Sequence, residues 1–449
     1  MKNIDQSLLY KIRLVWEYKD VLRNHCPPIH RIFSQSFRKS QLDAAKRIQD
    51  TECIRVAFFL PIPGMWKLDS LFQAMQKNPR YEPFIVVLPY STYKGFSKAE
   101  IESTLSRTEL FIKEKGYECV VPYNKVADQW IDVKKDYHPD VVFFCTPYKD
   151  SMPQYFVYHF QDVLTCYVQY SFCSLENSNV NYNLIFHNLV GIHFLESTIH
   201  QKMARKVARN KAVNTFVSGY PATEIFLDRE YKPVNRWKIQ RPTHKKVIWA
   251  PHHSIDYQNY VSIFLSIYDD MLHIAEKFKD EIQFVFKPHQ TLKLKLQKIW
   301  GVEKTEEYYN KWATMENTQL VSDGYEDLFL TSDAMIHDCG SFTTEYLFTK
   351  KPVMYLCRSR DMTDKFNEFG VNAFNCHYHG YSVQDVESFL QEVVLDGKDP
   401  MKAQREDFFE AYLNPGDGLL PSQKIIQDIA LKIEYMMKTN HKKLELPSA

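Results

Sequence analysis

From Ile54 onward the hydrophobic positions alternate between two patterns. Consecutive apolar runs such as Ile54–Leu60 (IRVAFFL), 83–89 (PFIVVLP) and 140–147 (DVVFFCTP) predict strands buried on both faces. Between them lie stretches with a single apolar face, as in 69–78, where Leu71, Phe72 and Met75 share one side of a predicted helix. Helices over 97–115 and 126–136 and strands over 117–122 and 164–172 continue the alternation. A long helical stretch is expected over 181–208, carrying His187, His193 and His200. A short strand, a Gly219-x-Pro221 turn and a helix start then close this half.

The polar, basic segment 229–246, broken by Pro233 and Pro242, reads as a linker. A second alternation follows. Its predicted strands are KVIWAP, IQFVFKP, TQLVS, AMIHD and PVMYLC, with helices at 259–279, 291–313, 326–331 and 342–349. Three further helices are expected at 383–395, 402–412 and 422–438. Upstream, residues 7–50 predict two helices broken at Cys26-Pro27-Pro28, packed on the domain that follows. The fold class is therefore α/β, with two Rossmann-like, doubly wound domains and parallel sheets. The expected division is a helical segment 1–50, a first domain 51–228, a linker 229–246, a second domain 247–438 and a polar tail 439–449. Two such halves suggest a GT-B-like arrangement facing a central cleft, with the donor in the C-terminal half and the acceptor in the N-terminal half.

Composition narrows the possibilities. With 45% hydrophobic residues in 449, the chain can bury two large cores. Charge nearly cancels, 56 Lys+Arg against 55 Asp+Glu, so no global field points to nucleic acid. The nine cysteines are scattered without a CxxC pair, which argues against a disulfide framework or structural zinc and for a reducing cytoplasm. No signal peptide is expected, and the apolar runs are too short to span a bilayer. Any membrane contact is expected to be peripheral, at the inner face.

The stretch 325–358 carries the chemistry. Gly340 and Ser341 sit where a predicted strand gives way to a helix, a place where backbone N–H groups suit a phosphate. Ser341 is expected to cap that helix, and Thr343 adds a hydroxyl. Two other strand ends bring His252 and His253 (WAPHHS) and Lys287 and His289 (FKPHQ) to the same edge of the sheet. Lys and His there supply positive charge and donors for a pyrophosphate. His187, His193 and His200, six and seven residues apart, lack the i,i+4 spacing of a helical metal site; no metal ligand or cofactor is assigned, and the metal requirement stays open.

These segments resemble the CDP-glycerol glycerophosphotransferase family, the teichoic-acid and capsule enzymes that move polyol phosphates. DCGSFTTEY followed by KKPVMYL is similar to that family's D-Y-S-S-x-x-x-[DE]-[YF] … KP-[IV] signature. KVIWAPHHS, FVFKPHQ, GYPATEIF and DGLLPSQKIIQDI resemble further family motifs over about residues 215–430. The resemblance implies transfer of glycerol or ribitol phosphate from a CDP-activated donor to a hydroxyl of a glycan or lipid-linked acceptor, releasing CMP. It implies Lys287 and His289 as catalytic, and His252, His253, Asp338, Gly340, Ser341, Thr343 and Glu345 around the donor. Departures are Cys339-Gly340 for Tyr-Ser, Ala222 for an arginine, and Tyr167–Phe172 where the family has a catalytic His-Gly motif. Trp66 and Tyr170 offer flat surfaces for the acceptor. No residue stands out as the replacement base; His187 is the nearest histidine in sequence. Two alternatives remain open, a GT-B glycosyltransferase using a nucleotide sugar and a non-catalytic nucleotide- or glycan-binding relative.

Overall fold

The computed structural model describes residues 27–90, 97–239, 241, 243–255, 262–322, 324–414, 416–427 and 429. The first expected helix, the last part of helix 422–438 and the tail from 439 lie outside the described residues. Among the described residues, no helix is long and apolar enough to cross a membrane.

The chain forms two units. Unit 1 draws on Met1–Tyr170, Ser178–Ala222 and the chain from Pro421; unit 2 comprises Ser171–Asn177 and Thr223–Leu420. In unit 1, β1 (Ile54–Leu60), β2 (Tyr81–Val87) and β3 (Cys119–Val120) precede a small antiparallel hairpin, β4 (Tyr123–Asn124) and β5 (Gln129–Trp130). Then come β6 (Val141–Phe144), β7 (Leu164–Val168), β8 (Ile192–Leu195) and β9 (Thr215–Val217). The main sheet has order β3-β2-β1-β6-β7-β8-β9, and its neighbouring strands pair in parallel. The apolar runs become these strands because helices cover both faces: β6, β7 and β8 are buried at every position.

In unit 2, β10 (Lys245–Ala250), β11 (Ile282–Phe286), β12 (Thr318–Leu320), β13 (Ala334–His337), β14 (Val353–Leu356) and β15 (Tyr378–Gly380) pair in parallel in the order β12-β11-β10-β13-β14-β15. Strand order reverses between β10 and β13, so a crevice opens outside their carboxyl ends. Trp249 of β10 packs 5.0 Å from Phe286 of β11 and 5.1 Å from Trp312, ring centre to ring centre. That aromatic layer fixes the two strands whose ends carry the histidines.

Several expectations need correction. The stretch 181–208 is not one helix. Short helices Ser178–Tyr182 and Ile185–Leu189 are followed by β8 and then helix Thr198–Val207. The fully buried IHFL run inside that stretch is a strand, paired with β7 and β9. Residues 126–136 begin as the β4–β5 turn, and helix is confined to Val133–Tyr137. Helix 291–313 is two helices, Leu292–Trp300 and Val302–Thr314, because Gly301 adopts φ +86° between them. β15 was not anticipated.

The segment 229–246 is not a free linker. Tyr231 Oη, Val234 N–H and Arg236 Nε all donate to the Asp327 carboxylate, at 2.7, 3.0 and 3.0 Å. Trp237 is buried and donates to Thr331. Helix Pro27–Gln49 packs on unit 1, as expected. The Gln41 amide donates to the carbonyls of Phe160, Gln161 and Val163, while its oxygen accepts from Thr165 N–H and Oγ1. A side chain on Gly191 would collide with that oxygen at 2.4 Å.

Candidate functional site

The loops leaving β10 and β11 bring three imidazoles together. Ring centres of His252 and His253 are 4.2 Å apart, those of His253 and His289 4.1 Å, and those of His252 and His289 5.1 Å. All three are half-buried. His252 and His289 are held by the same local device. Nδ1 of His252 faces the Ser254 hydroxyl at 2.9 Å and accepts the Ser254 N–H at 3.3 Å. Nδ1 of His289 faces the Thr291 hydroxyl at 3.0 Å and accepts the Thr291 N–H at 3.2 Å. A ring whose Nδ1 accepts a backbone N–H carries its own proton on Nε2 when neutral. Both rings therefore present an Nε2–H donor.

Burial holds these rings neutral. It is the largest cause lowering His252 to about 3, followed by electrostatic interactions with His253, His289, Lys295 and His337 that disfavour a further proton. His289 falls to about 4 by burial and then by His253, Lys287 and Lys295. Lys287 is itself buried, with Nζ 3.4 Å from the Ser322 carbonyl. A group of neutral donors ringed by cations suits a polyanion. The histidine ligand atoms also lie within 4.8 Å of one another, close enough to suggest a metal triad. Nε2 coordination would require Nδ1–H on His252 and His289, against the N–H groups of Ser254 and Thr291. The arrangement fits hydrogen-bond donation better than metal binding.

Asp338 belongs to the site as a positioning residue. The expectation that it faces the donor is corrected: its buried carboxylate accepts the N–H of His252 at 2.6 Å and of Ile263 at 3.0 Å. Burial raises it to about 6, and hydrogen bonds from the Ser262 hydroxyl and the His252 and Ile263 amides oppose that rise. It thus ties the end of β13 to the loop carrying His252 and His253.

The expected phosphate seat is also revised. Helix Phe342–Glu345 is a single α-turn continuing as the 3₁₀ turn Tyr346–Thr349, so its dipole is small. The amides of Thr343, Thr344 and Glu345 already donate to Cys339 or Ser341 carbonyls. Ser341 makes no capping bond; its hydroxyl lies 3.4 Å from the Cys339 sulfur. The Thr343 hydroxyl is buried and donates to the Cys339 carbonyl, and Glu345 is buried. At Gly340 the carbonyl accepts from Ser174 Oγ, and a Cβ would meet Leu175 at 3.2 Å. Gly340 and Ser341 remain half-exposed beside the turn.

The residues expected to meet an acceptor divide. Trp66 is 6% exposed, packed edge-on against Phe58 and Phe72, with its N–H on Asp69 at 2.7 Å. It plugs its helix and offers no flat surface to a ligand. Tyr170 is half-buried, with its hydroxyl 3.3 Å from that of Tyr148. His187 is fully buried against Tyr167 and His193 and is not placed to take a substrate proton.

Sequence reasoning missed Lys295, Ser254, Thr291 and Ser262. A signal existed in the repeated His-x-Ser/Thr spacing, His252-His253-Ser254 and His289-Gln290-Thr291. A hydroxyl and an N–H two residues beyond each histidine are what fix its tautomer.

The fold and site define a two-unit α/β protein of GT-B type whose C-terminal unit carries a cationic, donor-rich crevice at its switch point. The sequence model of the CDP-Glycerol:Poly(glycerophosphate) glycerophosphotransferase family matches residues 190–431, and the chain belongs to that family. Among solved structures it is similar to a protein from Listeria monocytogenes assigned as a UDP-N-acetylglucosamine 2-epimerase. Identity there is 15%, coverage 85% of this chain and 97% of that one, and the TM-score 0.54. It is similar to S. aureus MnaA in complex with UDP (15%, 85% and 97%, TM-score 0.53). It also resembles UDP-GlcNAc 2-epimerase from Neisseria meningitidis bound to UDP-GlcNAc (14%, 85% and 100%, TM-score 0.52). At these identities the likeness is one of fold. No curated protein matches the sequence.

Proposed function

We propose that the protein transfers a polyol phosphate, glycerol or ribitol phosphate, from a CDP-activated donor to a hydroxyl of a glycan or lipid-linked acceptor, releasing CMP. The observation that carries this reading is the imidazole cluster of a glycerophosphotransferase-family chain, with its Nε2–H donors and flanking lysines at the unit 2 switch point. A diphosphate there would receive hydrogen bonds from His252 and His289 and charge from Lys287 and Lys295. Transfer needs little covalent help from the protein; positioning and neutralising the developing charge do most of the work. His289 and Lys287 take that role, His252 and His253 line the donor, Gly340 and Ser341 flank it, and Asp338 holds the loop. Tyr170 is proposed for the acceptor side.

Incubation with CDP-glycerol, CDP-ribitol, UDP-sugars and GDP-sugars tests the reading by which nucleotide appears. CMP release is expected. UDP or GDP release would instead establish a nucleotide-sugar glycosyltransferase, and nucleotide binding without turnover would make the protein a binding relative.

A further inference from the structure

Unit 1 holds an opening at the edge of its sheet away from the carboxyl ends, where the ligands of such sheets ordinarily bind. It is a cavity of about 270 Å³ between helix Pro27–Gln49 and the loop that leads into β9. Its lining fixes its place in the fold. Gly191 immediately precedes β8, Asn214 immediately precedes β9, and Gln41 holds the Val163 carbonyl just before β7. The cavity thus lies at the amino ends of three neighbouring strands. Its volume falls just below the roughly 300–1,000 Å³ of ordinary small-molecule pockets, which suits a compact polar molecule better than a nucleotide-linked one.

One wall is built by asparagines whose side chains are spent on the backbone and on each other. The Asn210 N–H donates to Asn188 Oδ1 at 2.9 Å, and the Asn210 amide donates to Asn214 Oδ1 at 2.9 Å. The Asn214 amide in turn donates to the His187 and Val190 carbonyls, at 3.0 and 2.6 Å. Asn210 Oδ1 accepts the Ala212 N–H at 2.8 Å, and Lys211 and Ala212 both lie in the left-handed region, at φ +57° and +53°. Two adjacent non-glycine residues there are unfavourable, and such conformations gather at ligand sites. The charged groups of the lining are two guanidiniums, Arg38 from the helix and Arg209 from the loop. Among the described residues no Asp or Glu lines the cavity. Arg38 is half-buried and Arg209 exposed. Burial works against the Arg38 charge and lowers its pKa from the ordinary value, a cost that a bound anion would offset.

We propose that this cavity is an accessory binding site for a small phosphate monoester. Such a group carries nearly two negative charges near neutral pH, which calls for more than one cation. A guanidinium meets its oxygens through two parallel N–H donors, and here one guanidinium comes from each side. Ser34 lies one helical turn before Arg38 on the same face, and with Gln35 it offers polar contacts to an esterified polyol or sugar. Leu189, Val190 and Val213 give that part an apolar backing. Occupancy ties helix Pro27–Gln49 to the loops before β8 and β9, so the ligand stabilises unit 1. The proposal holds whichever nucleotide the donor carries.

Calorimetry on the full chain with glycerol phosphate, glucose phosphate, glycerate and glycerol tests this, and hydrogen exchange locates each ligand. At least one ester should bind and protect 33–41 and 188–214. Glycerate, with a single charge, should bind at least about ten-fold more weakly, and glycerol not at all. Arg38→Met and Arg209→Met should each weaken the ester by about ten- to hundred-fold, and Arg38→Lys by less than Arg38→Met. His289→Ala should leave ester affinity unchanged, which separates this cavity from the imidazole crevice of unit 2. The ester should raise the melting temperature of wild type with concentration, and that rise should shrink in both Met variants. Melts without ligand show which variants fold; Arg209 is exposed, so Arg209→Met decides the matter if Arg38→Met does not fold. No saturable binding of either ester below about 10 mM would overturn the proposal. So would equal affinity in wild type and the Met variants, or binding that His289→Ala abolishes. In each case the cavity is a hydrated groove only.

Discussion

An imidazole whose Nδ1 already accepts a hydrogen bond can offer only the proton on its other nitrogen. That single constraint decides what His252 and His289 do. Replacing His289 by Ala should remove about 2–4 kcal/mol of transition-state stabilisation, on the order of 10²–10³ in kcat, with the fold intact. Gln, which keeps a donor, should recover part of it, as steady-state kinetics with the CDP-polyol would show. Equal losses in the Ala and Gln variants would mean that a charge, not a donor, is required. Asp338→Asn is the complementary case. One of its two acceptor oxygens becomes an NH₂ facing an N–H group, so the loop of His252 and His253 loosens. Donor Kd should rise about ten-fold, a loss of about 1.4 kcal/mol, while kcat at saturating donor changes less. Calorimetry separates the two effects, and unchanged affinity would remove Asp338 from the site.

At the scale of elements, Asp327 is the residue that turns an apparent linker into structure. Its buried carboxylate gathers a hydroxyl, an amide and a guanidinium from 231–236. Asp327→Ala should cost about 2–3 kcal/mol and free the segment to a protease, measured by urea unfolding and limited proteolysis. Prolines and basic residues made 229–246 look solvated because sequence shows polarity but not its partners. The same limit explains the other errors. Strands of four to seven buried apolar residues were legible wherever helices cover both faces, and the strand ends that carry His252, His253, Lys287 and His289 followed from them. β8 was not, because IHFL sits among helical residues and its strand state comes from pairing with β7 and β9.

At the scale of the molecule, both units carry buried histidine pairs, His187 with His193 and His337 with His377, each pair 5.2 Å between ring centres. Burial depresses all four, His193 and His337 to about 3. It pushes His187 and His377 well below the ordinary value. Above about pH 6.5 these groups bind no proton in either state, and stability is full. As pH falls through that value the unfolded chain takes up protons that the folded one refuses. Each histidine then withdraws about 2 kcal/mol between pH 6.5 and 5. Each unit carries two such groups and so loses about 4 kcal/mol, a large part of a domain's stability, and acid unfolding should centre near about pH 5. Circular dichroism from about pH 8 to 4 checks this, and native spectra throughout would show that the pairs are not buried as described.

Unit 1 is completed by the far end of the chain: Gly219, at φ +84°, packs so closely on Pro421 that a Cβ would sit 2.8 Å from its ring, and Tyr81 donates to the Ile426 carbonyl. A ribosome therefore delivers most of unit 1 early and its last piece late. Between them it must make Thr223–Leu420, which takes about 10–40 s at about 5–20 residues per second. Throughout that interval the nascent first half waits with one face unfinished, exposed to chaperones and proteases. A stop codon placed after Leu420 would extend that wait indefinitely, and would disable the half of the protein that had been translated first.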